Sequence, residues 1–140
     1  DAALAAAAEN IRQHGLENRV TLLCGDLFDP IIAGMDDTRF DLIVSNPPYV
    51  GFAEYDKLDK NVREYEPRRA LLAGPDGLEV CRRIIEKAGD YLKPDGALML
   101  EIGSAQGPAV TELLRKTDIF RQIKIEKDLS RLDRIAIALR

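Results

Sequence analysis

The stretch FDLIVSNPPY, residues 40–49, joins an aliphatic and β-branched run to two consecutive prolines. A run of this composition that ends in Asn-Pro predicts a β-strand followed by a loop. The prolines fix φ at two positions, remove two N–H donors and hold the residue before each of them extended. The stretch therefore predicts a strand at Phe40–Ser45 that ends in a stiff segment, whose carbonyl groups have no helical partner.

The polar groups of this segment suit a planar –NH2 group. Asn46 supplies a side-chain carbonyl and Pro47 a backbone carbonyl, so together they could accept both hydrogens of one amide or amine. Tyr49 adds a flat aromatic face against which that group could pack. Held in this way, the nitrogen can be aimed at an electrophilic carbon. A rigid turn without such a role is the alternative, because Asn-Pro is an ordinary turn dipeptide.

The rest of the chain alternates between apolar runs typical of strands and stretches with helical periodicity. Further strands are predicted at residues 19–24, 97–102, 120–126 and 134–139. Strands that alternate with helices form a mostly parallel sheet with helices on its faces. Because only a short polar connection separates the last two strands, they predict an antiparallel pair at the edge of an α/β sheet.

Helical periodicity is clearest in the second half of the chain. It predicts amphipathic helices at residues 78–92 and 107–115, and Pro108 is acceptable in the first turn of the second helix. The KPDG sequence at residues 93–96 predicts a turn that ends the first of these helices. These helices are expected to cover the sheet.

The two remaining segments are less regular. An Ala-rich helix opens the chain, with Asp1 as its N-cap and Gly15 at its C-terminal stop. Residues 51–73 are polar and lack a clear period, so they predict a long loop with a helical turn near residues 53–62.

The composition fits one soluble domain spanning residues 1–140. The hydrophobic share is 46%, and the net charge is −4 with a pI of about 5.1, which argues against a dedicated nucleic-acid binder. No apolar run approaches the length of a membrane span, and no signal-peptide pattern opens the chain. Cys24 and Cys81 are expected to be buried, reduced thiols, and a single histidine, His14, rules out a His-rich metal site.

Functional residues of an open α/β sheet lie beyond the carboxyl ends of its strands. Two segments of this chain meet that condition. Asp26 and Leu27 follow the predicted strand at residues 19–24, although Gly-Asp is also a common turn dipeptide. Residues 46–49 follow the strand at Phe40–Ser45 and form the sharper candidate.

Asn-Pro-Pro-Tyr after a hydrophobic strand resembles the signature of S-adenosylmethionine-dependent amino-group methyltransferases, which act on adenine, guanine or glutamine amides. Other segments narrow this resemblance to the HemK-type protein-(glutamine-N5) methyltransferases. These segments are EPRRAL at 66–71, GPDGL at 74–78, Glu101-Ile102-Gly103 with Gln106-Gly107, and Lys127-Asp128-Leu129 with Asp133-Arg134. The resemblance covers nearly the whole chain.

The resemblance implies the Rossmann-like sheet of S-adenosylmethionine-dependent methyltransferases, with an antiparallel C-terminal hairpin. The implied reaction moves a methyl group from S-adenosyl-L-methionine to a glutamine side chain, most often the Gly-Gly-Gln glutamine of peptide-chain release factors. A ribosomal-protein glutamine is an open alternative. A nucleic-acid amino group is another, which the net charge of −4 disfavours. A cytoplasmic location without membrane or direct nucleic-acid contact is expected.

The resemblance also assigns roles to residues. Asn46 and Pro47 of the Asn-Pro-Pro-Tyr motif, which Pro48 completes, would hold the substrate amide, with Asn46 also beside the cofactor. Tyr49 would pack against the substrate glutamine. The other residues with implied roles are Asp26 and Leu27 at the adenine, Glu66 and Arg68 as substrate contacts or an internal ion pair, and Glu101 as a structural residue.

The chain departs from the complete family pattern at its start. The Gly-rich cofactor loop, the acidic residue that binds the ribose and the substrate-recognition domain do not occur in these 140 residues. The resemblance therefore implies the C-terminal part of the catalytic domain. We expect the strand at residues 19–24 to lack its neighbour, and the chain alone to bind S-adenosylmethionine weakly and to be inactive. A non-enzymatic interaction module is the remaining alternative.

Overall fold

The structure, a computed structural model, describes residues 2–32 and 39–140. The chain divides into two compact units, Asp1–Thr38 and Arg39–Arg140. Most of the predicted elements and the residues 46–49 fall in the second unit.

The N-terminal unit begins with the predicted Ala-rich helix, α1 (Ala2–Gln13). Gly15 follows it with φ of 63°, a left-handed conformation that glycine adopts at little cost and that often ends a helix. The predicted stop is thus confirmed, while the predicted cap, Asp1, lies outside the described residues. His14 is exposed, as expected. A single helical turn, α2 (Asp29–Ile32), comes at the end of the described part of this unit.

The predicted strand at residues 19–24 is wrong. Residues 20–24 have no regular secondary structure, and the side chains of Val20, Leu22 and Leu23 are exposed. A strand needs a neighbour for its N–H and C=O groups, and no described strand pairs with this segment. The prediction that Cys24 is buried fails with it, because Cys24 is exposed.

The described part of the C-terminal unit contains a mixed sheet. Its strands are β1 (Phe40–Ser45), β2 (Leu92–Glu101), β3 (Gln122–Lys127) and β4 (Asp133–Leu139), in the spatial order β1-β2-β4-β3. β1 is parallel to β2, whereas β4 is antiparallel to both β2 and β3. The predicted α/β sheet with a C-terminal antiparallel hairpin is confirmed.

β2 begins at Leu92, earlier than predicted. Phe40 pairs with Leu92 while Leu42 pairs with Ala97, so residues 93–96 bulge out of the ladder between these two pairs. Continuous pairing starts at Ala97, the first residue of the predicted strand. The KPDG sequence therefore lies inside β2, where it interrupts the hydrogen-bonded pairing with β1.

Two amphipathic helices, α6 (Glu79–Tyr91) and α7 (Gly107–Lys116), pack on the sheet as predicted. α6 contacts β2, and α7 contacts β3 and β4. Burial of a complete aliphatic side chain contributes about 1.5–3 kcal/mol, so this layer supplies most of the hydrophobic stabilisation of the unit. The largest buried side chains are those of Ile85, Leu92, Leu98, Leu100, Ile102, Leu114 and Val110.

The opposite face of the sheet is apolar and partly exposed. Val44 pairs with Met99, whose neighbours Leu98 and Leu100 face the helices, so Val44 points away from them. The side chain of Val44 is 67% exposed, and those of Leu42 and Ile135 are also exposed. None of the described helices combines the length and apolar character that a bilayer crossing requires.

The predicted long loop at residues 51–73 contains three short helices. They are α3 (Phe52–Tyr55), α4 (Lys60–Tyr65) and α5 (Arg68–Leu71). None of the three buries a residue, so the segment has no apolar period that could reveal them. A local signal was present: the Asp59 side chain accepts a hydrogen bond from the Asn61 N–H at 2.8 Å and caps α4.

The two thiols should differ in reactivity. Burial raises the pKa of the Cys81 thiol to about 11, whereas Cys24 is exposed. Because the thiolate is the reactive form, we expect an aromatic disulfide reagent at pH 8 to label Cys24 promptly and Cys81 only after denaturation. The C24S variant should lose the fast reaction. Two fast thiols in the native 140-residue chain would contradict the burial of Cys81.

Candidate functional site

The Asn-Pro-Pro-Tyr segment leaves the sheet at the carboxyl end of β1. β1 runs parallel to β2, and its last residue, Ser45, pairs with Leu100 near the carboxyl end of β2. The segment therefore begins at the carboxyl edge of the sheet. Asn46 is exposed and Pro47 is buried, while Pro48 and Tyr49 are half-buried. The structure thus places the segment where open α/β sheets hold their ligands.

Two acceptors of the segment have no partner within the protein. In the described residues, neither the Asn46 side chain nor the Pro47 carbonyl accepts a hydrogen bond. Both therefore remain able to accept N–H groups from a bound molecule, as the sequence predicts. Their assignment to a substrate amide stays a prediction.

The two residues that carry these acceptors line a cavity of about 500 Å³. This volume falls within the usual range of small-molecule and side-chain sites. The cavity is lined by Asn46, Pro47, Tyr49, Val50, Leu58, Val62, Glu66, Ala70 and Leu71. The wall is thus mostly apolar, with the amide of Asn46 and the carboxylate of Glu66 among its polar groups.

Tyr49 is held at both its side chain and its backbone. Its hydroxyl donates to Oε1 of Glu101 at 3.4 Å, a long contact at the end of β2. Its backbone carbonyl accepts from Nε2 of Gln106 at 3.0 Å. Glu101 therefore contacts Tyr49, and its purely structural role stays a prediction. The contact of Gln106 was not predicted.

The next residue joins the segment to the loop before α6. The Val50 N–H donates to the Leu71 carbonyl at 2.9 Å, and the Val50 carbonyl accepts from the Ala73 N–H at 3.0 Å. These two bonds form a short parallel bridge between Val50 and Leu72. The segment that follows Pro48 is thus fixed along its backbone.

Glu66 and Arg68 do not form the internal ion pair that was one of the two expectations. Glu66 lines the cavity, whereas the Arg68 guanidinium lies 4.9 Å from the centroid of the Tyr55 ring. That separation is typical of a cation–π contact. The alternative expectation, that these residues contact substrate, stays a prediction.

Asp26 and Leu27 lie in a turn of the N-terminal unit. The Asp26 backbone carbonyl accepts from the Asp29 N–H at 3.0 Å, and Leu27 has a φ of 49°, a conformation uncommon for a non-glycine residue. Asp26 is exposed and Leu27 half-buried. The local turn was predicted as one alternative, and a role of these residues toward a cofactor stays a prediction.

The β3–β4 hairpin reaches the same edge of the sheet through Arg134. Its guanidinium donates to the Ile102 carbonyl at 3.3 Å and to Oδ2 of Asp128 at 3.1 and 3.2 Å. The other oxygen of Asp128 accepts the N–H groups of Ser130 and Leu132. These bonds hold the hairpin turn against the end of β2.

Proteins of known function are similar to this chain along almost all its length. Release factor glutamine methyltransferase of Geobacter sulfurreducens is 44% identical over 133 residues, 95% of this chain and 44% of that protein. The protein of that name from Moorella thermoacetica is 44% identical over 139 residues, 99% of this chain and 47% of that protein. The predicted resemblance to the glutamine methyltransferases is confirmed. The chain spans less than half the length of these curated relatives. No protein-family model matches the sequence.

A solved structure shows the same fold. The crystal structure of a methyltransferase from Pyrococcus furiosus matches with a TM-score of 0.61, over 95% of this chain and 55% of that chain, at 22% sequence identity. Such a likeness supports the methyltransferase type of the Rossmann-like sheet that was predicted, with its antiparallel hairpin.

The hairpin turn should make stability depend on acid pH. The Leu132 N–H, then the Arg134 guanidinium and the Ser130 N–H, hold the pKa of Asp128 below its ordinary value of 3.8. A carboxyl whose pKa is lower in the folded state stabilises the fold above its unfolded pKa, and this contribution is lost as the pH falls through the folded pKa.

We therefore expect D128A to lower the urea midpoint at pH 7, and the difference from wild type to shrink below pH 3.8. The L129A variant is a suitable control, because it removes a fully exposed, uncharged side chain from the same turn. A D128A deficit that stays constant from neutral to acid pH would contradict the role of the Asp128 charge.

Proposed function

We propose that the protein containing this chain methylates the side-chain nitrogen of a glutamine in a peptide-chain release factor, with S-adenosyl-L-methionine as methyl donor. The proposal is supported above all by one observation. Two acceptors without partners in the described residues, on Asn46 and Pro47, border a cavity in a chain similar to release factor glutamine methyltransferases. From this substrate class we also propose a cytoplasmic location.

The proposed chemistry requires little acid or base catalysis. An amide nitrogen is a poor nucleophile, because its lone pair is delocalised into the carbonyl. Asn46 Oδ1 and the Pro47 carbonyl accept its two N–H groups and stabilise the positive charge that grows on nitrogen as the methyl group arrives. The same two bonds set the direction of approach, and one proton leaves afterwards.

The remaining cavity residues suit a glutamine side chain. Tyr49 offers an aromatic wall along the aliphatic part of the substrate, and Leu58 and Val62 extend that apolar surface. Glu66 lines the same cavity, so its carboxylate is available to a substrate N–H. Pro48 fixes its own φ and holds Pro47 extended, which stiffens the segment that leads to Tyr49. We also propose that Arg68 contacts the protein substrate.

The donor set is compatible with S-adenosylmethionine. That cofactor, when bound, supplies the methyl group on a sulfonium centre. We propose that Asp26, which carries a carboxylate, and Leu27, which has a half-buried apolar side chain, lie at the adenine of the cofactor. The exposed Asn46 side chain is proposed to contact both cofactor and substrate.

The first test is substitution of Asn46 in the complete gene product that includes these residues. N46A removes one of the two acceptors, so we expect kcat for release-factor methylation to fall roughly 100- to 1000-fold. N46D keeps an acceptor oxygen but adds a charge, and should also be impaired. Methyl incorporation is measured by mass spectrometry of the target peptide.

A matched control is N61A, because Asn61 is exposed on α4 and lies outside the cavity lining. A release factor whose loop glutamine is replaced by alanine should accept no methyl group. Ribosomal-protein and DNA substrates are assayed in parallel. Methylation of either of these in preference to the release factor would contradict the proposed substrate.

A second test concerns cofactor affinity. We expect calorimetric titration to show weak or no binding of S-adenosylmethionine by the 140-residue chain, because a Gly-rich loop is absent from its sequence. The complete gene product serves as the comparison. Equal, tight binding by both proteins would show that these 140 residues assemble a full cofactor site.

A further inference from the structure

A single side-chain amide joins three loops at the carboxyl edge of the sheet. Gln106, directly before α7, accepts the Gly103 N–H on Oε1 at 2.9 Å. Its Nε2 donates to the Tyr49 carbonyl at 3.0 Å and to the Gly77 carbonyl at 3.2 Å. The loops after β1, before α6 and after β2 are thereby connected through one residue.

The three bonds require a residue that both donates and accepts at the end of its side chain. The amide of glutamine has two N–H donors and one carbonyl acceptor, and here both kinds of group are engaged. Glutamate at this position would keep the acceptor and lose the donors. Methionine would keep the length and lose both.

The surroundings are shaped for this amide. Gly77 has a φ of 72°, and a Cβ on it would lie 2.8 Å from Nε2 of Gln106 and 3.0 Å from the Gly51 N atom. Only glycine leaves room for the two backbones and the amide to approach so closely. A Cβ on Gly103 would lie 3.0 Å from Oε1 of Gln106, so the turn after β2 is similarly tight.

The link determines where the acceptors of the Asn-Pro-Pro-Tyr segment point. At one end Ser45 is fixed by pairing with Leu100, and between the ends the two prolines allow little rotation. At the other end the Tyr49 carbonyl is fixed by Gln106. A stiff segment held at both ends cannot pivot, so the direction of the Pro47 carbonyl and the backbone position from which the Asn46 side chain extends are set.

We propose that Gln106 is a positioning residue for methyl transfer: through its bonds to the Tyr49 and Gly77 carbonyls it holds the two acceptors in their reactive direction. The inference rests on the proposed function, and Gln106 itself touches no reacting atom. Loss of these bonds leaves the acceptors present but misaligned. A displacement of about 1 Å costs roughly 100-fold in rate, so the effect belongs to kcat.

The test compares Q106E and Q106M in the complete gene product, with Q122E and Q122M as matched controls at an exposed position of β3. We expect both Gln106 variants to lose roughly 10- to 100-fold in kcat for release-factor methylation. KM for the release factor and Kd for S-adenosylmethionine should stay within about threefold. The Gln122 variants should match wild type.

Amide hydrogen exchange separates positioning from a local structural role. In Q106E the carboxylate can still accept the Gly103 N–H, so that amide should stay protected, whereas exchange at Val50 should accelerate. In Q106M both amides should exchange faster. Wild-type kcat in Q106E, or a loss confined to KM, would overturn the proposal.

Thermal melting identifies failures of folding. If Q106M does not fold, the kcat of Q106E decides the question. The carboxylate of Q106E can still accept the Gly103 N–H within the turn after β2. Loss of folding in both variants would also overturn the proposal, since Gln106 would then serve overall stability. If the wild-type protein methylates no glutamine, the proposed function is wrong. Amide hydrogen exchange at Val50 in Q106E then still decides whether Gln106 fixes the segment.

Discussion

The pairing of β2 on both of its edges is the constraint on which the C-terminal unit depends. Over residues 97–100, β1 lies parallel on one side and β4 antiparallel on the other, so the backbone groups of this part of β2 are satisfied within the sheet. Its inward side chains, Leu98 and Leu100, are buried beneath the helices. At its carboxyl end the strand delivers Glu101 to the Tyr49 hydroxyl. The position of the candidate site is therefore set by the sheet.

The predictable part of the fold is the part with local signals. Apolar and β-branched runs correctly predicted β1, β3 and β4, and helical periodicity correctly predicted α6 and α7, which bury one face. The run at residues 19–24 has the same apolar composition, but no described strand pairs with it. Composition alone cannot show whether a partner exists.

The residues of the candidate site also divide into those with a local sequence signal and those without one. Asn46, Pro47 and Tyr49 were singled out because a rigid double proline beside an amide is a local pattern. The functions of Gln106 and Gly77 depend on contacts between loops that are distant in sequence, so only the structure brings them together. Glu66 enters the cavity wall because α4 and α5 set the path of the chain on either side of it, whereas the sequence predicts only a helical turn near residues 53–62.

Tyr49 and Gln106 are 57 positions apart, which has a consequence during synthesis on the ribosome. At about 5–20 residues per second, roughly 3 to 11 s separate the translation of the Asn-Pro-Pro-Tyr segment from that of the amide that holds it. β4, the second neighbour of β2, is translated later still. A nascent chain stalled before residue 106 would carry the complete motif without its geometry. The link between the three loops of the candidate site therefore forms late in biogenesis.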